Sequence, residues 1–142
     1  MASVRILIVD DCEPWRRMVF NLLQEQKNWQ VIFEASNGLE AVQKSKELQP
    51  DLILLDIGLP GINGIEAGRQ IHEVTPGSKI LFLSENLCPE VVQAALFIGG
   101  RGYVVKSDAG HDLVAAMEAI IEDKQFVSAR FSGCSPVRPS DA

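Results

Sequence analysis

The sequence predicts an α/β fold, a doubly wound (βα)5 three-layer sandwich around a parallel five-stranded sheet. Three observations carry that prediction. Short runs of apolar, largely β-branched residues recur five times without polar alternation, as strands covered on both faces require. Each run is followed by a stretch with the 3.6-residue period of a helix, so strand and helix alternate strictly. The apolar runs also stop at polar residues or turns, and right-handed crossovers bring those stops to one common edge of the sheet.

The first strand is Val4-Arg5-Ile6-Leu7-Ile8-Val9, halted by Asp10-Asp11. Pro14 suits the first turn of a helix, and Trp15, Met18, Val19, Leu22 and Leu23 form an apolar stripe that predicts a helix through Gln26. Strand Val31 to Ala35 follows, then helix Leu39 to Leu48 capped by Asn37, whose side chain can accept from the first free N–H groups. Strand Leu52 to Leu55 leads through a turn containing Pro60 and Gly64 into helix Ile65 to Val74. Strand Ile80 to Leu83 pairs with helix Glu90 to Ile98, and strand Tyr103 to Val105 with helix Ala109 to Glu122. The run Gly99-Gly100-Arg101-Gly102 reads as a loose loop before the last strand. Residues 1–127 read as the domain, and the small, Pro-containing stretch over 128–142 as a flexible tail or linker remnant.

One domain is expected from 142 residues, enough to bury a core without cross-links. Thirteen basic against 19 acidic residues leave a net charge of −6, so release of counterions from a nucleic acid cannot drive binding, and direct DNA contact is not expected. No apolar run approaches the roughly 20 residues of a membrane span, and no export signal opens the chain. The odd set of Cys12, Cys88 and Cys134 lacks metal or disulfide spacing, which fits reduced thiols and a cytoplasmic location. Cys12 reads as a small buried thiol, and His72 and His111 as solvated helix residues.

The common strand edge gathers Asp10, Asp11, Asp56, Ser84 and Lys106. Carboxylates so close repel one another unless a cation sits among them or their pKa values rise. All-oxygen ligands suit Mg2+, or Mn2+ in its place. Lys106 would add a second positive charge and Ser84 a hydrogen bond, together neutralising an incoming phosphoryl group. Asp56, next to Leu54-Leu55, is then the carboxylate placed to attack phosphorus and form an acyl phosphate.

Ile8-Val9-Asp10-Asp11, Leu55-Asp56-Ile57-Gly58-Leu59-Pro60-Gly61-Ile62-Asn63-Gly64, Ser84 and Gly102-Tyr103-Val104-Val105-Lys106 resemble the receiver domain of bacterial two-component response regulators, over about residues 4 to 123. Asn37-Gly38-Leu39-Glu40-Ala41, Gly64-Ile65-Glu66-Ala67 and Lys106-Ser107-Asp108 look most like NarL/FixJ-like receivers. The resemblance implies a flavodoxin-like, chemotaxis-regulator-like sheet of strand order 2-1-3-4-5. It implies that Asp56 accepts a phosphoryl group from a histidine kinase or histidine phosphotransfer protein. Asp11, Asp56 and the Gly58 backbone carbonyl would bind Mg2+, assisted by Asp10, and Lys106 would contact the phosphoryl group. The Ser84 hydroxyl would swing toward the phosphate and Tyr103 turn inward, remodelling the face made by the fourth helix and the fifth strand and helix. That face would serve a downstream protein target, a lost output domain or a homodimer. Such a chain is a phosphoacceptor that assists its own phosphorylation and dephosphorylation, not a turnover enzyme.

Three features depart from the family pattern. Glu85 puts a negative charge after Ser84, Gly58 offers no side chain two residues after the acceptor, and the glycine run before Tyr103 is unusually rich. Glu85 motivates an alternative, a receiver-like interaction domain that works unphosphorylated. A Mg-dependent phosphatase with an aspartyl nucleophile would need an acid two residues after that nucleophile, where Cys12 and Gly58 stand instead. A flavodoxin-like nucleotide carrier would need a glycine- and hydroxyl-rich phosphate loop after the first strand, where Asp10-Asp11-Cys12-Glu13 would repel phosphate.

Overall fold

The computed structural model describes residues 3–85 and 88–128. Strands β1 (Val4–Val9), β2 (Trp29–Ala35), β3 (Leu52–Asp56), β4 (Lys79–Ser84) and β5 (Gly102–Val105) alternate with helices α1 (Glu13–Gln24), α2 (Gly38–Leu48), α3 (Gly64–Val74), α4 (Pro89–Phe97) and α5 (Ala109–Ile121). A two-residue strand, β6 (Phe126–Val127), completes a six-stranded sheet of order β2-β1-β3-β4-β5-β6. Every strand pairing is parallel.

The pleat sorts the strand residues into two cores. Leu7, Val9, Ile53, Leu55, Ile80, Phe82, Tyr103 and Val105 pack with Ala41 of α2, Ala67 and Ile71 of α3, and Val92, Ala95 and Leu96 of α4. Their neighbours Ile6, Ile8, Leu52, Leu54, Leu81, Leu83 and Val104 pack with Val19 and Leu23 of α1 and Leu113, Ala116, Met117 and Ile120 of α5. Strands covered on both sides need no polar alternation, which is why β3 is buried along its whole length.

Local chemistry sets the helix starts. Asn37 accepts from Glu40 N at 2.8 Å while Glu40 Oε1 accepts from Ser36 N at 2.9 Å, a reciprocal arrangement close to a capping box. Asn63 caps α3 in the same way through Glu66 N. Helix α1 ends at Gln24, short of the expected Gln26, and β2 begins at Trp29, two residues before the expected start. No glycine or proline marks this junction, and a turn closed by Gln26 N on Leu23 O makes it.

The five expected strands stand in the expected order 2-1-3-4-5, and the short sixth extends them at the β5 edge. After α5 the chain reverses at Asp123, whose φ of 64 is left-handed, and runs back along the open edge of β5. Ser128 finishes this return: its N–H donates to Tyr103 O at 3.0 Å, and its Oγ accepts from Val105 N at 3.0 Å. The edge of β5 thus receives the hydrogen-bond partners it would otherwise lack. Beyond Ser128 the expected tail lies outside the described residues.

The glycine run is tight where the sequence reads as loose. A Cβ at Gly100 would meet Ala95 O and the Phe82 ring at 2.7 Å, and one at Gly102 would meet Phe126 O at 2.7 Å. These glycines admit a neighbouring backbone and ring. Among the described residues, no helix is long and apolar enough to cross a membrane.

Candidate functional site

The alternation that builds the two cores also selects the site. Ile8 and Leu54 face α1 and α5, so two residues further on Asp10 and Asp56 continue that phase beyond the ends of the apolar runs. Ile8 pairs with Leu54 and Val9 with Leu55, so the same register sets Asp10 beside Asp56. Val104 shares the phase, and Lys106 extends it from β5. Ser84 and Tyr103 fall in the opposite phase, toward α4.

Asp10, Asp11 and Asp56 each offer a carboxylate oxygen within 4.8 Å of the others. Asp10 and Asp56 are buried at 1% and 5% exposure, whereas Asp11 is exposed, so the cluster opens to solvent on the Asp11 side. Lys106 Nζ donates to Asp10 Oδ2 at 2.6 Å and lies 3.5 Å from Asp56 Oδ1. Cys12 N donates to Asp10 Oδ1 at 2.8 Å, so both Asp10 oxygens are engaged. Gly58 enters the site through its N–H, which donates to Asp56 Oδ1 at 3.1 Å.

These neighbours shift the charges in different directions. Burial, then the Asp10 charge, push the Asp56 carboxyl above its ordinary value against the opposing pull of Lys106 and the Gly58 N–H. Burial opposes the Lys106 charge, but the Asp10 hydrogen bond and the two carboxylate charges outweigh it and raise the ammonium above its ordinary value. One lysine therefore leaves a net negative pocket of oxygen ligands, a donor set that fits a hard divalent cation.

Gly64 holds the end of β3 in place. A Cβ there would fall 2.0 Å from Asp56 O and 2.5 Å from the Ile57 Cα, and Gly64 N donates to Ile57 O at 2.9 Å. The turn that follows passes through Gly61, at φ +73. On the α4 side the Tyr103 side chain is fully buried, and burial raises its hydroxyl above the ordinary value against the lowering effect of the neighbouring Ser84 hydroxyl.

The sequence predicts Asp10, Asp11, Asp56, Ser84 and Lys106 at one edge, and the structure brings Asp10, Asp11, Asp56 and Lys106 together, with Ser84 beside Tyr103 on the α4 side. Arg16, which the sequence reading does not single out, donates from Nη1 to Asp10 O at 2.5 Å while its Nε pairs with Glu34 at 3.2 Å, bracing the end of β1 against β2. An arginine within two helical turns of an acidic strand end is the signal the sequence offers. Trp15 belongs to the apolar stripe and lies just past the acidic pair in the sequence, and the structure sets the Lys106 ammonium 5.0 Å from the centroid of its ring. Cys12, expected to be buried, is exposed, because it caps α1 at the mouth of the site.

A parallel α/β sheet with a carboxylate cluster and a facing lysine at its carboxyl edge defines a domain able to hold a cation and an anionic group together. The chain belongs to the response regulator receiver domain family, whose model matches residues 6–118, and it is a receiver of two-component signalling. It is similar to the chemotaxis protein CheY of Thermotoga maritima, 35% identical over 116 residues that cover 82% of this chain and 96% of that protein. It is also 35% identical over 117 residues to the transcriptional regulatory protein LnrK of Bacillus subtilis, covering 82% of this chain but 53% of LnrK, so it spans about half that relative's length. Among solved structures, a LuxR-family two-component response regulator from an Aurantimonas species has a TM-score of 0.89 and 31% identity, covering 94% of this chain and 95% of that one.

Proposed function

We propose that this receiver accepts a phosphoryl group on Asp56 from a histidine kinase or histidine phosphotransfer protein and converts it into a change at the face formed by α4, β5 and α5. The observation that carries this reading is the placement of Asp56 between two partners of opposite effect, the Asp10–Asp11 carboxylates and the Lys106 ammonium.

In the transfer, an Asp56 carboxylate oxygen attacks the phosphorus of a phosphohistidine and forms the P–O bond of an acyl phosphate. The P–N bond breaks, and the imidazole nitrogen leaves with the electron pair. Lys106 is placed to follow the charge from carboxylate to phosphoryl oxygen, since it already spans Asp10 and Asp56. Asp11 and Asp56, with the Gly58 carbonyl, would hold Mg2+ or Mn2+, and Asp10 would assist, its oxygens being taken by Lys106 and Cys12 N. When bound, the cation supplies charge neutralisation to the phosphoryl oxygens. Attack of water on the phosphorus breaks the P–O bond to Asp56, releases inorganic phosphate and returns the carboxylate, so the chain is a phosphoacceptor that takes part in its own phosphorylation and dephosphorylation and is not a turnover enzyme.

Ser84 couples the site to the face. Ser84 neighbours Tyr103, so a hydroxyl drawn toward a phosphoryl oxygen alters the environment of a fully buried aromatic ring packed against α4. A downstream protein, an output domain over the additional length of relatives such as LnrK, or a second copy of the chain would read that change. A receiver domain that runs through Ser128, one residue past the expected boundary, a cytoplasmic location and the absence of direct DNA or membrane contact belong to the same reading.

Amide NMR with Mg2+ and beryllofluoride, a phosphoryl mimic, tests it. Shifts are expected at Asp56, Ser84, Tyr103 and along α4 and α5. A spectrum unchanged by the mimic would favour an interaction domain that works unphosphorylated, the reading that the exposed Glu85 after Ser84 supports.

A further inference from the structure

The proposed chemistry leaves Trp15 without a role, although it stands in the first turn of α1, four residues after Asp11. Its ring centroid is 5.0 Å from Lys106 Nζ, the same nitrogen that lies 2.6 Å from Asp10 Oδ2 and 3.5 Å from Asp56 Oδ1. Lys106 is thus bounded by two carboxylates and by an aromatic face, and its side chain is only 13% exposed. The rest of the indole packs against the core shared with α5.

The indole carries a penalty that the stripe alone does not explain. Trp15 Nε1 is buried and has no hydrogen-bond partner among the described residues. A leucine or phenylalanine would serve the amphipathic pattern of α1 without stranding a donor. An indole has the most negative face of the aromatic side chains, and here that face meets the ammonium.

We propose that Trp15 is a positioning residue: its ring holds the Lys106 ammonium over the Asp10–Asp56 pair, where the oxygens of an incoming phosphoryl group arrive. A lysine stem has four rotatable bonds, so without the ring the ammonium spends part of its time toward solvent, away from the point of use. The ring attracts the charge without occupying a hydrogen bond, so Lys106 remains able to exchange Asp10 for a phosphoryl oxygen. The effect on rate rests on the assignment of Asp56 as phosphoacceptor, whereas the contact itself does not.

The test uses a Trp29→Phe background, which leaves Trp15 as the sole tryptophan of the two in the chain. Mono-, di- and trifluorinated tryptophan are incorporated at position 15, changing the charge on the ring face with little change in shape. Labelling of Asp56 by acetyl phosphate in Mg2+, followed by intact mass, is expected to slow stepwise by about three- to tenfold across the series, at constant thermal midpoint. Trp15→Phe should slow labelling less than Trp15→Leu. In metal-free protein, Lys106→Met should shift the Trp15 emission. Labelling rates independent of fluorination, equal rates in Trp15→Phe and Trp15→Leu, or an emission spectrum indifferent to Lys106→Met would each overturn the proposal. Absence of labelling in the parent protein would instead count against the Asp56 assignment, and the emission shift would still decide the contact.

Discussion

Lys106 Nζ stands 2.6 Å from Asp10 Oδ2 and is the counter-charge for a carboxylate that is 1% exposed. One ammonium serves a cluster of three carboxylates, so the site retains negative charge in the absence of metal. That imbalance links stability to cation binding.

Asp56→Asn is therefore expected to stabilise the metal-free protein by about 1 kcal/mol, because burial and Asp10 both penalise the native carboxylate. Mg2+ should raise the thermal midpoint of the native chain and much less that of the variant, since binding to the folded state alone stabilises it. Calorimetry in chelator and in Mg2+ reads both effects. A variant less stable than the parent in chelator would contradict the ledger of charges at this site.

Gly64→Ala is expected to cost about 1–3 kcal/mol and to slow phosphorylation, because the added methyl falls within 2.0 Å of the Asp56 carbonyl and must displace the end of β3. Gly61→Ala, with nothing near its Cβ but a φ of +73, separates backbone strain in the turn from displacement of the acceptor. Urea denaturation and labelling rates measure the two variants. Equal labelling by both would show that contact with Asp56 is not the cause.

Ser128→Ala removes the acceptor for Val105 N, one residue before Lys106. Leaving that buried N–H unpaired is expected to cost about 1–3 kcal/mol. Hydrogen exchange should accelerate at Val105 before it does in β1 or β3. Unchanged protection at Val105 would mean that the Ser128 hydroxyl is not what protects this N–H.

Glu85 is exposed and follows Ser84 at the carboxyl edge of the sheet. Glu85→Ala should speed labelling by acetyl phosphate about two- to fivefold at low salt, with the difference shrinking as ionic strength rises. A difference that persists in high salt would point to steric access and not to charge.

The two-residue pleat made the central part of this site legible in the sequence. Apolar runs ending in Asp10, Asp56 and Lys106 place those residues on one sheet edge before any coordinates are known. What the sequence could not show was determined by tertiary contact. Phe126-Val127 is too short for a strand pattern and becomes β6 only because β5 presents an open edge. Gly100 reads as loose in isolation and becomes a packing position once the Phe82 ring of β4 lies against it. Trp15 and Arg16 belong to α1 by periodicity, and only the fold reveals that one meets Lys106 and the other the Asp10 carbonyl.

The central claim is that Asp56 is the phosphoacceptor, and intact mass of the purified chain after treatment with acetyl phosphate and Mg2+ tests it most directly. The account predicts a gain of one phosphoryl mass that requires the metal and is absent in Asp56→Asn. A folded native chain that gains no mass, or an Asp56→Asn variant that gains it equally, would contradict the account.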